Sequence, residues 1–227
     1  MLIKDWMATT ILTVDANTSV MRATRTMKEN NIRRLPVLSH GKLAGIITDR
    51  DLKDASPSSK TDMDLHEMYY LLSEMKVKDV MTSNPLTLSG EQSLEMAAVV
   101  MLDSRISGIP VVDDSGHLIG LLSETDVLRG FIGITGIKDG AVQFVLNVPD
   151  QPGSVTKVIE LMRQHDGRVI SILTSYEAAR EGMKRVAIRI TAANKEKIDA
   201  IAEQLKEHFE VIYQARDELK NLPKKQR

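Results

Sequence analysis

The sequence predicts an α+β protein. Two copies of a β-α-β-β-α unit pack as a pseudo-symmetric pair, and a third segment of order β-α-β-β-α-β follows them. The first observation behind this is a duplication. Ile3-Lys4-Asp5-Trp6-Met7 returns as Val77-Lys78-Asp79-Val80-Met81, and the residues after it stay in register. The second is that each copy switches from helical to strand periodicity at the same place. The third is a change of pattern near residue 140, where longer strands alternate with two amphipathic helices. Duplication sets the architecture before any propensity does, and a cleft between two similar units is a natural place for ligands.

The register holds element by element. Leu12-Thr13 matches Leu86-Thr87, so each copy opens with a strand, around Ile11 to Val14 or Leu86 to Leu88. Val20, Ala23, Thr24 and Met27 fall at i, i+3, i+4 and i+7, one face of a helix, and Leu94, Ala97, Ala98 and Met101 repeat it. Ile32, Pro36 and Val37 match Ile106, Pro110 and Val111. A strand at Leu35 to Leu38 or Ile109 to Val112 then turns through His40-Gly41 or Asp113 to Gly116 into a second one. That second strand is Leu43 to Ile47 or Leu118 to Leu122, a hairpin signature with one extra residue in the second turn. Gly45-Ile46-Ile47-Thr48-Asp49-Arg50-Asp51 matches Gly120-Leu121-Leu122-Ser123-Glu124-Thr125-Asp126, and a short helix starts near Asp49 and near Glu124.

The pair thus spans 1–135, with repeats near 3–54 and 77–130. Between them, Ala55 to Thr61 reads as loop, and Asp62 to Met75 as a linker helix with Leu65, Met68, Tyr69 and Leu72 along one side. Glycines 130, 133, 136 and 140 lack a phosphate-loop order and read as a linker. The third domain covers 140–213. Its strand Ala141 to Val148 leads through Asp150-Gln151-Pro152-Gly153-Ser154 into a helix faced by Val155, Val158, Ile159 and Met162. Strands at Arg168 to Tyr176 and Lys184 to Thr191, a helix at Asn194 to His208 and a strand at Phe209 to Tyr213 complete a ferredoxin-like order. Residues 214–227 are a charged tail.

Composition narrows the function classes. In 227 residues, 42% are hydrophobic and 27% charged, as in ordinary globular proteins. A formal net charge of −1 gives no general attraction to nucleic acid or an anionic membrane. The basic run Lys224-Lys225-Gln226-Arg227 reads as solvated tail. Without cysteine there is no disulfide, thiol catalysis or cysteine-ligated zinc, and the five histidines show no ligand spacing, so no metal is expected. Apolar runs are too short to span a bilayer, and no secretory signal opens the chain. The expectation is a cytoplasmic protein. Trp6 and the twelve methionines read as packing.

Thr48-x-x-Asp51 and Ser123-x-x-Asp126 are the candidates for chemistry. Ser/Thr-x-x-acid is close to a capping box, in which hydroxyl and acid satisfy N–H groups of the first turn. Both occurrences follow Gly-apolar-apolar at equivalent repeat positions, which favours a second use. A helix N-terminus and a hydroxyl offer donors to phosphate, and a carboxylate one turn on can accept from both ribose hydroxyls. Arg33-Arg34, before Leu35-Pro36, is either a solvated pair or a phosphate clamp. The second repeat has Ser107-Gly108 there, so the two sites are not equivalent.

Both repeats resemble cystathionine β-synthase (CBS) motifs in tandem, a Bateman-type module. The likeness rests on Val77-Lys78-Asp79-Val80-Met81, Ile106-Ser107-Gly108-Ile109-Pro110-Val111, Gly120 to Asp126 and their first-copy counterparts, over roughly residues 3 to 130. The resemblance implies binding of adenosine derivatives (AMP, ADP, ATP or S-adenosylmethionine) between the repeats, with no metal required. It puts Thr48 or Ser123 on phosphate and Asp51 or Asp126 on ribose. Asp51 would work with Asn84, Pro85, Ser107, Gly108 and Ile109, and Asp126 with Thr10, Ile11, Arg33, Arg34 and Leu35.

The third segment resembles an ACT domain, on Asp150-Gln151-Pro152-Gly153-Ser154-Val155 and Gly167-Arg168-Val169-Ile170. That likeness implies ligand residues at Asp150, Pro152, Gly153 and Ser154, though Val169 stands where amino-acid-binding members often have Asn. Two CBS motifs followed by ACT is the arrangement of acetoin-utilisation proteins of the AcuB type. The implied function is non-catalytic and regulatory: a homodimer that senses an adenine nucleotide and, through ACT, an amino acid or other small metabolite, and acts on a target the sequence does not name. The alternative is a dimeric assembly scaffold with vestigial sites.

Overall fold

The computed structural model describes residues 1–55, 65–139, 142–177, 179–192, 194–216 and 219. The expected loop from Ala55 to Thr61 (beyond Ala55 itself), Gly140 and the basic end of the tail lie outside them. The chain forms two compact units, Met1–Gly130 and Phe131–Arg227.

In the first unit each repeat builds its own small sheet. The first repeat contributes β1 (Val14–Asp15), α1 (Val20–Glu29), β2 (Arg34–Ser39), β3 (Lys42–Thr48) and α2 (Asp49–Asp54). After α3 (Leu65–Glu74) come β4 (Thr82–Ser83), β5 (Leu88–Ser89), α4 (Leu94–Ser104), β6 (Gly108–Val112), β7 (Leu118–Ser123) and α5 (Glu124–Thr135). Val20, Ala23 and Met27 are buried on α1, as are Leu94, Ala97 and Met101 on α4. The fourth expected position is only half-buried in each, and Thr24 returns its hydroxyl to Val20 O. Ser19 and Ser93 cap the two helices by accepting from Arg22 N and Met96 N.

The repeats interlock through exchanged N-terminal segments. β4 belongs to the second repeat by sequence but pairs antiparallel with β3 of the first, Gly45 opposite Ser83. Reciprocally, Ala8 of the first repeat bridges Leu121 of the second. Ile3 N donates to Gln92 O and Val77 N to Thr18 O, again one copy to the other. Ile3 and Val77 are both fully buried; each anchor stabilises by about 1.5–3 kcal/mol. Gly45 and Gly120 admit this exchange: a Cβ on Gly45 would strike the Met81 sulfur, and one on Gly120 the Met7 sulfur.

Three expectations are corrected here. The opening strands are shorter and later than Ile11 to Val14 and Leu86 to Leu88. Pairing begins only at Val14 opposite Val37 and Leu88 opposite Val111, while Leu12 and Leu86 stay exposed. The linker helix spans Leu65–Glu74, and of its expected apolar side Leu72 packs on the first-repeat core. The side chains of Leu65, Met68 and Tyr69 lie outside the described residues. The glycine-rich linker after Gly130 is largely helical, with α5 running to Thr135 and a 3₁₀ turn at Ile137–Asp139. Gly130 belongs in α5 because Leu94 and Trp6 occupy the space a Cβ would need.

The second unit runs β8 (Val142–Pro149), α6 (Ser154–Gln164), β9 (Arg168–Ser175), β10 (Met183–Thr191), α7 (Lys195–His208) and β11 (Glu210–Arg216). Its antiparallel sheet has the order β11-β8-β10-β9. Alternate residues Phe144, Leu146, Val148 and Val186, Ile188, Ile190 pack with Val158, Leu161 and Met162 of α6 and Ile198, Ile201 and Leu205 of α7 in one core. On the other sheet face Arg189 is 6% exposed and donates to Gln143 at 3.2 Å.

Candidate functional site

The two hairpins end in the same local structure. Thr48 Oγ1 accepts from Asp51 N at 3.3 Å, while Asp51 Oδ2 accepts from Thr48 N and the Thr48 hydroxyl, each at 2.8 Å. In the second repeat Ser123 Oγ accepts from Asp126 N at 3.3 Å. Asp126 Oδ2 accepts from Ser123 N at 3.0 Å and its hydroxyl at 2.5 Å. Both pairs close the reciprocal bonds of a capping box, and each spends one carboxylate oxygen on it. The remaining oxygens differ. Asp126 Oδ1 lies 2.8 Å from Arg129 Nη1, whereas Asp51 Oδ1 has no hydrogen-bond partner among the described residues.

A cleft of about 920 Å³ opens beside Asp51. Arg33, Arg34, Thr48 and Asp51 of the first repeat line it with Asn84, Pro85, Ser107 and Gly108 of the second. Ser123, Asp126, Thr10 and Ile11 lie outside this cleft. Leu35 and Ile109 do too, since both side chains are fully buried in the core. The two arginines also depart from expectation, because the resemblance grouped them with Asp126 and they line the Asp51 cleft.

Arg34 explains that departure. It stands at the start of β2 and reaches across to the other repeat, donating from Nη1 to the Ser107 carbonyl and from Nη2 to Ser107 Oγ at 2.8 Å. Gly108, its counterpart in the duplication, makes room: a Cβ there would overlap the guanidinium and Arg34 Cδ. Desolvation lowers the Arg34 pKa, opposed by Glu124 and Asp49. A guanidinium so placed remains charged at neutral pH.

Sequence reasoning missed Arg50, Lys53 and Arg105, which also line the cleft, as do Asp49, Asp54 and Glu124. Five cations thus face four acids. Arg50 and Lys53 flank Asp51 on one short helix, a signal that was readable. Arg105 was not, because it enters by ending α4 in a left-handed conformation, φ 54°. α2 has only six residues, so its dipole is small and the attraction for an anion falls on these side chains. A second groove of about 940 Å³ beside α1 and α2 shares Arg33, Asp49 and Lys53 with this cleft and adds Met21, Met27, Ile32, Leu52 and Leu72 among further polar and charged residues.

In the second unit, Asp150 is exposed. Its Oδ1 accepts from the Tyr176 hydroxyl and pairs with Lys184 Nζ, both at 3.3 Å. Gly153 supplies the left-handed residue before α6, φ 82°, and Pro152 beside it is exposed. Ser154 is 7% exposed and donates its hydroxyl to Gln151 O, so that hydroxyl is engaged in the turn. Among the described residues no cluster of His, Asp or Glu has the makings of a metal site, and no helix is long and apolar enough to cross a membrane.

Comparison with known proteins places these features. The CBS domain family model matches residues 3–58 and 77–133. A CBS domain-containing protein of Dictyostelium discoideum is 34% identical over 128 residues, 56% of this chain and 88% of that protein. The crystal structure of CBSX2 of Arabidopsis thaliana in complex with AMP is 31% identical. That match covers 59% of this chain and 97% of that one, with a TM-score of 0.49. A Vibrio cholerae protein assigned to acetoin utilization (AcuB) has a TM-score of 0.51 at 24% identity, over 61% of this chain and 96% of that one, a likeness of fold. Of three other curated relatives this chain spans 21% to 46% of the length.

Proposed function

The chain belongs to the CBS-domain family, and from the mixed α+β pair its two CBS domains form we propose a non-catalytic regulatory protein whose Asp51 cleft binds an adenine nucleotide. The observation that carries this reading is the composition of that cleft. One carboxylate oxygen of Asp51 is left for ribose hydroxyls, and cations from both repeats stand around it. Thr48 and the arginines take the phosphate, and Ile46, Pro85 and Leu86 supply an apolar wall for the base. AMP, ADP, ATP and S-adenosylmethionine all fit the ribose half. The cations favour the phosphorylated ones, because guanidinium groups pair with phosphate by geometry as well as charge.

The second unit, in this reading, is an ACT domain that senses an amino acid or other small metabolite, or joins two chains. The protein works as a cytoplasmic homodimer on a target still to be identified. Nucleotide binding regulates by favouring one of two arrangements, which requires unequal affinity for them. Calorimetric titration of the full chain with AMP, ADP, ATP and S-adenosylmethionine tests this. Saturable binding with dissociation constants in the micromolar range and no turnover of the bound nucleotide is expected. The complete capping boxes favour a second reading, an assembly scaffold in which both motifs serve only the helices. Absence of heat from all four compounds would establish that reading instead.

A further inference from the structure

We propose that the two pseudo-equivalent capping-box carboxylates are unequal as ribose acceptors: the Asp51 cleft takes the nucleotide first, and Arg129 competes for Asp126. This rests on the nucleotide-binding reading and adds an order of filling to it. The two carboxylates make the same capping bonds with Oδ2, so they differ only in what remains. Asp51 keeps Oδ1 without a partner among the described residues, while Asp126 Oδ1 is paired with Arg129 at 2.8 Å. The duplication shows why the pairing is one-sided. Three residues after the acid, the second repeat has Arg129 and the first has Asp54, and a carboxylate cannot replace the arginine.

Charge adds to this asymmetry. Arg50, Lys53 and Arg105 line the Asp51 cleft, and their counterparts in the other copy are the uncharged Thr125, Leu128 and Asn31; Asp54, where the other copy has Arg129, offsets part of that excess. Arg34 is turned to the same side, because its guanidinium is held on Ser107, whose counterpart is Arg33. A ribose hydroxyl approaching Asp126 competes with Arg129 for Oδ1, and a phosphate beside it meets fewer cations. A nucleotide entering the Asp51 cleft does neither.

The test is titration of the full chain with AMP and ATP, in wild type and two variants. Asp51→Asn keeps an acceptor for the cap but removes the charge, and its melting curve verifies folding. Wild type should bind a first equivalent at least tenfold more tightly than a second, and Asp51→Asn should abolish the tight event. Arg129→Ala should strengthen the weak event by roughly two- to fivefold, the range that freeing one exposed ion pair supports. Two equal events in wild type, or a tight event that survives Asp51→Asn, would overturn the order of filling. A weak event unmoved in Arg129→Ala would overturn the role given to Arg129. No binding by wild type at all would overturn the nucleotide reading itself, and this inference with it.

Discussion

Arg34 and Gly108 hold the same place in the two copies, yet one has the longest side chain in its strand and the other has none. The pair is complementary because the copies face each other across their shared dyad: Arg34 occupies the volume that any side chain at 108 would need. Gly108→Ala should therefore push the guanidinium off Ser107 and cost about 1–2 kcal/mol, the value of its lost charged hydrogen bonds. In an Arg34→Ala background the same substitution should cost less than about 0.5 kcal/mol, because the obstructed group is gone. Urea unfolding of the four proteins in a double-mutant cycle measures this. Additive losses would show that the two positions do not communicate. The sequence matched Arg34 with Gly108 as repeat counterparts but put them at opposite sites, because spacing along a chain carries no sign of which residues meet across a dyad. The capping residues were legible for the opposite reason, since Thr48 and Asp51 make their bonds within one turn.

Elements were legible where their signal is local. The helical faces of α1 and α4 and the hairpins β2–β3 and β6–β7 follow from periodicity and turn residues. The opening strands did not, because β1 and β5 exist only where a distant partner supplies a ladder, and two residues carry no period. The exchange of N-terminal segments is likewise nonlocal. Its one trace in the sequence is that Met7 and Met81, like Gly45 and Gly120, recur at equivalent positions. The two glycines should nevertheless respond differently. At Gly120 the three atoms nearest an added methyl all belong to the flexible Met7 side chain, which can move aside. At Gly45 it meets Met81 and also the Thr82 carbonyl oxygen at 2.9 Å, which is fixed in the β3–β4 ladder. Gly45→Ala should cost about 2–3 kcal/mol and Gly120→Ala about 1 kcal/mol or less, the spread expected between rigid and yielding overpacking. Equal shifts in the urea midpoints would mean that the two docked segments are held alike.

At the scale of the whole molecule, what matters is that each unit buries a core of its own. The second unit closes its own core between one sheet face and two helices, with Phe144, Met162, Ile188 and Ile201 almost wholly buried. The first buries Leu35, Ile47, Leu94, Ile109 and Leu122 around its exchanged segments. A unit with its own core and its own closed hydrogen-bond ladders has what cooperative folding requires. A fragment of residues 1–130 should therefore unfold in one cooperative transition, and so should one of residues 131–227. The nucleotide response should divide between them as the site does. Every described residue lining the Asp51 cleft lies between Arg33 and Glu124, so the first fragment should keep the whole ligand-induced rise in melting temperature seen in the full chain. At a hundredfold excess over the dissociation constant that rise corresponds to about 2.7 kcal/mol. The second fragment should show none. A first fragment that melts cooperatively but no longer responds to nucleotide would mean that residues beyond 130 complete the site. The ligand would then be read by both units together rather than by the repeats alone.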